Sequence, residues 1–185
     1  MMQEISLNVL DVAQNSVSAK ATLIEIGVME TSAHEMTVHI TDNGCGMTGE
    51  QVKSVVDPFY TTRTTRKVGL GVPFFKMGAE MTGGSFSIDS TVGAGTTVKA
   101  VYRTDHIDCM PLGDINETIV TLVSCNPQID FVYTRSYDGE SFVMDTRQFR
   151  EVLGGVQLNE PEVISFLRGF LIENTAELLQ NKGEA

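Results

Sequence analysis

Basic residues are scarce in this chain. Thirteen Lys and Arg stand against 24 Asp and Glu, giving a net charge of −11. So acidic a surface repels a phosphate backbone, and general nucleic-acid binding is not expected of it. Cysteine is scarce too. Cys45, Cys109 and Cys125 are far apart, odd in number and form no CxxC pair. Their spacing argues against a disulfide framework and a thiolate zinc site, and it points to a reduced, cytoplasmic setting. No apolar run reaches the roughly 18 residues that a membrane-spanning helix needs, so no membrane association is expected. The opening MMQEISLNVLDVAQNS has an acid at position 4 and no basic region, unlike a secretion signal. No internal repeat or low-complexity segment is present.

What the chain does have is material for a core: 185 residues, 42% of them apolar. That is one ordinary domain, or one domain with a substantial extension. The charge is unevenly spread. Residues 1–104 hold ten acids and eight bases, whereas residues 105–185 hold fourteen acids and five bases. The step suggests a boundary, with a first domain over 1–104 and an α+β extension over 105–185.

Apolar positions Ile5, Leu7, Val9, Leu10, Val12, Ala13 and Val17 predict a largely buried helix over 4–19. TLIEIGVM (22–29) and MTVHITD (36–42) alternate as strands. TGEQVKSVVD (48–57) predicts a short helix with Thr48 as N-cap and Gln51 completing a capping box. Residues 60–69, YTTRTTRKVG, read as a polar loop. VPFFKMGAEMTGG predicts a helix with Pro73 in its first turn and a glycine pair at its end. SFSIDST and TTVKAVYR follow as strands around a VGAG turn. Beyond residue 105 come a helix capped by Asp114 and stopped by Pro127, and then a hairpin about Tyr137-Asp138-Gly139. A short helix with a glycine stop follows, and a long one with Asn159 as N-cap.

Candidate chemistry lies in the first hundred residues. Asp11 and Asn15 are four apart and share a helix face. An amide oxygen there could ligate magnesium, and the carboxylate could orient or deprotonate a water. DNGCGM (42–47) ends a strand on an acid and then sets two glycines one residue apart. Such a turn can bring the backbone against a flat ligand, with Asp42 as a fixed acceptor. Gly69 and Gly71 precede a helix start, whose free amides suit a phosphate, and Arg63, Arg66 and Lys67 lie just upstream. GAGTT (93–97) could bring the Thr96 hydroxyl to a buried polar edge. Each feature alone also reads as a plain turn, a solvated helix edge or a solvated loop.

In order along the chain, however, these segments resemble the five boxes of the Bergerat-fold (GHKL) ATPases, which include gyrases, heat-shock chaperones, histidine kinases and MutL-type proteins. DVAQNSVSAKAT is similar to the N box, DNGCGM to the G1 box, DPFYTTR to the F box, VGLGV to the G2 box and GAGTT to the G3 box. The resemblance covers residues 4–104 and nothing beyond. It implies an α/β (α+β) two-layer sandwich, a mixed sheet with helices on one face and Mg-ATP between them. It assigns Asn15 to magnesium, Asp42 to the adenine amino group, and Gly44, Gly46 and Met47 to the base. Gly69 and Gly71 would form the hinge of a lid over the phosphates, Thr62, Arg63, Lys67 and Leu70 would also bind the nucleotide, and Thr96 would help seat the adenine.

The resemblance leaves two activities open. Hydrolytic members carry Glu where this chain has Asp11. Histidine kinases often carry Lys three residues after the asparagine, where this chain has Ser18. Their phosphoacceptor hairpin precedes the N box, which here is reached by residue 11, so His34, His39 and His106 are expected to be structural or solvated. One expectation is a catalytic subunit passing the γ-phosphate to a separate protein. The other is an ATP-driven switch or slow ATPase, using Asp11, that controls partner binding. The extension is expected either to cover the sheet edge and core or to dock a partner or a second copy. Cys45 is expected to be a small filler.

Overall fold

The computed structural model describes residues 4–57 and 70–180. Its elements run α1 (Ile5–Ser18), β1 (Leu23–Thr31), β2 (Glu35–Asp42), α2 (Gly49–Val56), α3 (Gly71–Met81), β3 (Ser85–Thr91), β4 (Gly95–Arg103), α4 (Ile115–Cys125), β5 (Asp130–Tyr137), β6 (Glu140–Asp145), α5 (Thr146–Leu153) and α6 (Pro161–Gln180).

All six strands form one sheet in the order β3-β4-β2-β1-β5-β6. Neighbours are antiparallel except β1 and β5, which are parallel. The mixed sheet with helices on one face is the expected architecture. The reason is visible in the register. Side chains alternate faces along a strand, so paired residues form rows across the sheet. One row on the helix side reads Ile88, Val98, Ile40, Ile26, Tyr133, Met144 from edge to edge. Five of these six are buried, Ile88 partly so. The opposite face carries Lys99, His39, Gly27 and Thr134 in the adjacent row, with Lys99 exposed and His39 and Thr134 half-buried.

Over the apolar face, α1 buries Ile5, Val9, Val12, Ala13 and Ser16, an i, i+4, i+7 stripe. No side chain caps α1. Instead, the Ile5 and Ser6 amides donate to the carbonyls of Pro111 and Leu112 (3.0 and 2.8 Å), so the segment before α4 closes the helix start. Helix α2 has the expected capping box between Thr48 and Gln51. Helix α3 ends where Gly83, at φ 78°, turns the chain into β3. Asp114 caps α4 through the Glu117 amide. Helix α6 differs from expectation. Its first intrahelical bond is accepted by Glu160, from the Ile164 amide at 3.0 Å, so Glu160 rather than Asn159 stands before the helix. Proline without an N–H and with φ preset fits the first helical position, which fixes the start at Pro161.

Residues 105–180 share the sheet and core of the first part. β5 pairs along the whole edge of β1, and Phe131, Tyr133, Ile119, Leu122 and Leu171 belong to the same buried cluster as α1. Among the described residues, no helix is long and apolar enough to cross a membrane.

Candidate functional site

One row of the sheet breaks the apolar pattern. On the helix side of the end near α2 it reads Ser90, Thr96, Asp42, Ile24, Phe131. Three polar residues lie side by side on the face that elsewhere builds the core. Asp42 is only 8% exposed. A carboxylate so placed must be held by donors, and two are present. Ser16 donates to Oδ2 at 2.6 Å, and the Gly44 amide donates to Oδ1 at 2.8 Å. Each carboxylate oxygen can accept more than one hydrogen bond, so Asp42 keeps acceptor capacity beyond these two. Thr96 Oγ1 and Ser90 Oγ are 2.8 Å apart, and the Met47 amide donates to Ser90 Oγ at 2.8 Å. Met47, Thr96 and Asp42 are thereby tied to one polar end of the sheet.

The turn after β2 is closed by Asn43. Its Oδ1 accepts from the Thr22 and Leu23 amides, and its Nδ2 donates to Thr22 Oγ1. At Gly46, φ is +66°, and a Cβ would strike the Thr91 carbonyl. Only glycine lets the turn close against the end of β3 in that conformation.

The second glycine with a steric reason is Gly71, the first residue of α3. A Cβ there would run into the Asp11 carboxylate. Asp11 of α1 therefore lies against the N-terminus of α3, where helix amides and dipole favour a negative group. Asn15 sits one turn further along α1, beside Ser16. Its Nδ2 is buried without a hydrogen-bond partner. Magnesium takes few protein oxygens and keeps water or phosphate oxygens for the rest. An asparagine whose buried Nδ2 has no partner among the described residues fits that role, with its oxygen as the hard ligand. Among the described residues, no three His, Cys, Asp or Glu side chains cluster as a metal site.

The structure thus brings together Asp11, Asn15, Asp42, Gly44, Gly46, Met47, Gly71 and Thr96 around α1, the ends of β2 and β4, and the start of α3. Leu70 stands just before α3 and is exposed. Thr62, Arg63, Lys67 and Gly69, with Arg66 and residues 58–63 of the F-box resemblance, lie outside the described residues. Cys45 is exposed rather than a buried filler: its amide donates to Ala19 O, its carbonyl accepts from Gly93, and its thiol reaches only the neighbouring Gly46 carbonyl, at 3.6 Å. His34 occupies the β1–β2 turn at φ 60°, and His106 is exposed, 3.7 Å from Asp108. His39 lies on the open sheet face, over Gly27. Sequence reasoning missed Ser16, Ser90 and Asn43. Ser16 did leave a signal: it falls on the apolar stripe of α1, four residues after Val12, where a hydroxyl needs a partner.

A family model described as histidine kinase-, DNA gyrase B- and HSP90-like ATPase matches residues 1–106. The chain belongs to this family. It is 30% identical over 97 residues to the signal transduction histidine-protein kinase AtoS of Escherichia coli, covering 52% of this chain and 16% of that kinase. It is 32% identical over 93 residues to sporulation kinase B of Bacillus subtilis, covering 49% of this chain and 21% of that kinase. The chain therefore spans a small part of the kinases that it matches. Among solved structures, the Aquifex aeolicus MutL ATPase domain complexed with ADP aligns at a TM-score of 0.50 and 15% identity, over 83% of this chain and 70% of that one. The N-terminal domain of a DNA repair protein aligns at 0.53 and 16%, over 78% and 53%. These likenesses show the fold: a GHKL ATPase domain homologous to histidine kinases.

Proposed function

We propose that the chain binds Mg-ATP between α1, the end of β2 and the start of α3, and passes the γ-phosphate to a separate protein as a kinase subunit. The observation that carries this reading is the Asp42 carboxylate, oriented by Ser16 and Gly44 with acceptor capacity to spare. An adenine amino group is a donor and fits it. A guanine carries a carbonyl at the same position, and acceptor against acceptor leaves both groups unpaired. Asn15 would hold the magnesium, which neutralises phosphate charge when bound. Gly44, Gly46, Met47 and Thr96 would line the base. The start of α3, with Gly71 and Leu70, would offer amides to the phosphates, together with Thr62, Arg63, Lys67 and Gly69. The kinase names of the relatives favour transfer to a protein. Calorimetric titration with ATP and GTP, with and without magnesium, tests the site. ATP binding that needs magnesium is expected, and equal affinity for GTP would overturn it. Incubation with labelled ATP and candidate partner proteins tests the transfer, with label expected on a partner.

A second reading, an ATP-dependent switch, draws support from the contact of Asp11 with Gly71. The carboxylate beside the metal-binding position touches the helix start that would carry the lid, so a shift at one would be felt at the other. Free phosphate released by the wild-type chain and lost in Asp11→Asn, with no label on any partner, would favour this reading.

A further inference from the structure

A groove of about 980 Å³ lies between α5, α6 and the turn that joins them. It lies entirely beyond the family match, on residues 123–167. Its floor is core: Val123, Leu158, Val163 and Leu167 are buried. Its rim is not. Val152 is 86% exposed, Phe166 62% and Val156 47%. Large apolar side chains gathered at a groove mouth mark an interaction surface.

The charges around the groove are one-sided. Its lining includes Glu160 and Glu162 and no Lys or Arg. Glu151 stands beside Val152 on α5. None of these three carboxylates has an ion-pair partner among the described residues. The nearby arginines are already committed: Arg147 to Asp145 at 2.7 Å, Arg150 to Asp130 at 2.9 Å and Arg168 to Glu117 at 2.9 Å. The groove therefore offers an apolar floor and unmatched negative charge. A second copy of the chain would bring the same carboxylates to the contact. A small ligand would find few donors to fix its orientation.

We propose that this groove docks a basic amphipathic helix of a second protein, with its apolar side chains between Phe166, Val152 and Val156 and its Lys or Arg against Glu151, Glu160 and Glu162. The proposal deepens the phosphate-transfer reading by giving the partner a surface and a chemistry. It is separable from that reading, because the groove shares no residue with the nucleotide site.

The test uses the full chain and a fluorescein-labelled Leu/Lys helical peptide of about 18 residues, long enough to span the groove. A counterpart with Glu in place of Lys is the control, and the readout is anisotropy without nucleotide. The Lys peptide is expected to bind, and Val152→Ser to weaken it by roughly tenfold, as does Phe166→Ser. Glu151→Gln/Glu160→Gln/Glu162→Gln is expected to weaken it several-fold. Glu35→Gln/Glu80→Gln/Asp89→Asn, which removes equal charge elsewhere, is expected to leave it unchanged. Because Val152 is almost fully exposed, its substitution does not threaten folding. Equal binding of both peptides, or equal loss in the two triple variants, overturns the proposal. So does an unchanged affinity in Val152→Ser, self-association in sedimentation that Phe166→Ser abolishes, or binding of an apolar dye with no peptide. Peptide binding without ATP binding would leave the groove standing and the nucleotide reading refuted, and the reverse result would do the opposite.

Discussion

Two stretches of a single row of the sheet behave in opposite ways. Through β3, β4 and β2 the row reads Ser90, Thr96, Asp42, and through β1 and β5 it continues as Ile24, Phe131. The same helix layer covers both. In the first stretch the sheet gives up apolar contact and holds a carboxylate with local donors. In the second it is ordinary core, with Ile24 and Phe131 at 0% and 1% exposure. The difference teaches where the fold spends its stability. The apolar stretch is shared between the first part of the chain, through β1, and the later part, through β5, joined by the parallel pairing of β5 with β1.

The comparison can be broken by substitutions on either side. Phe131→Ala empties a closed core position and is expected to cost about 3–5 kcal/mol in urea unfolding, with nucleotide affinity of the folded fraction unchanged. A large loss of affinity without destabilisation would put Phe131 in the site and erase the distinction. Asp42→Asn keeps the shape but changes an acceptor into a partial donor. It is expected to weaken ATP by roughly a hundredfold and to remove discrimination against GTP, with a much smaller change in melting temperature. Asn15→Ala belongs to the same side. It is expected to abolish the magnesium-dependent part of ATP affinity in calorimetry.

A finer probe is the contact between Asp11 and Gly71. Gly71→Ala forces a methyl into the carboxylate and is expected to cost about 1–3 kcal/mol. Adding Asp11→Ala should recover much of that loss in a double-mutant cycle. Purely additive costs would mean that the two residues do not constrain each other.

The smallest effect belongs to the open face of the sheet. Burial pushes the His39 pKa below its ordinary value, Glu25 pulls it upward and Lys99 lowers it further. The neutral form is thus favoured in the folded chain. The contribution of His39 is fully present above the unfolded value of about 6.5 and declines as pH falls through it toward the folded pKa. His39→Thr is expected to flatten the stability profile over that window by less than about 1 kcal/mol. Glu25→Gln should lower the His39 pKa further in an NMR titration.

Much of this molecule was legible along the chain, for local reasons. The capping box at Thr48 and Gln51, the Asp114 cap, the hairpin at Asp138-Gly139 and the glycine stop at Gly154 each depend on neighbours a few residues apart. The positions of Asp11, Asn15, Asp42 and Thr96 were marked by the order of their motifs. Partners distant in sequence were not legible. The hydroxyl that orients Asp42 comes from Ser16, twenty-six residues away. Gly71 is explained by Asp11, sixty residues earlier. The carboxylates Glu151, Glu160 and Glu162 acquire meaning only once Arg147, Arg150 and Arg168 are seen to be engaged elsewhere.

The sequence by itself therefore determined the family, the helix and strand segments and the polar residues set at their ends, because periodicity, caps and turns act over a few residues. Tertiary structure alone decided that β5 and β6 join the sheet beside β1 rather than stand apart. It alone decided that three polar side chains on separate strands meet in one row. Register is fixed by burying one face of the sheet as a whole, and no short stretch of chain contains that information.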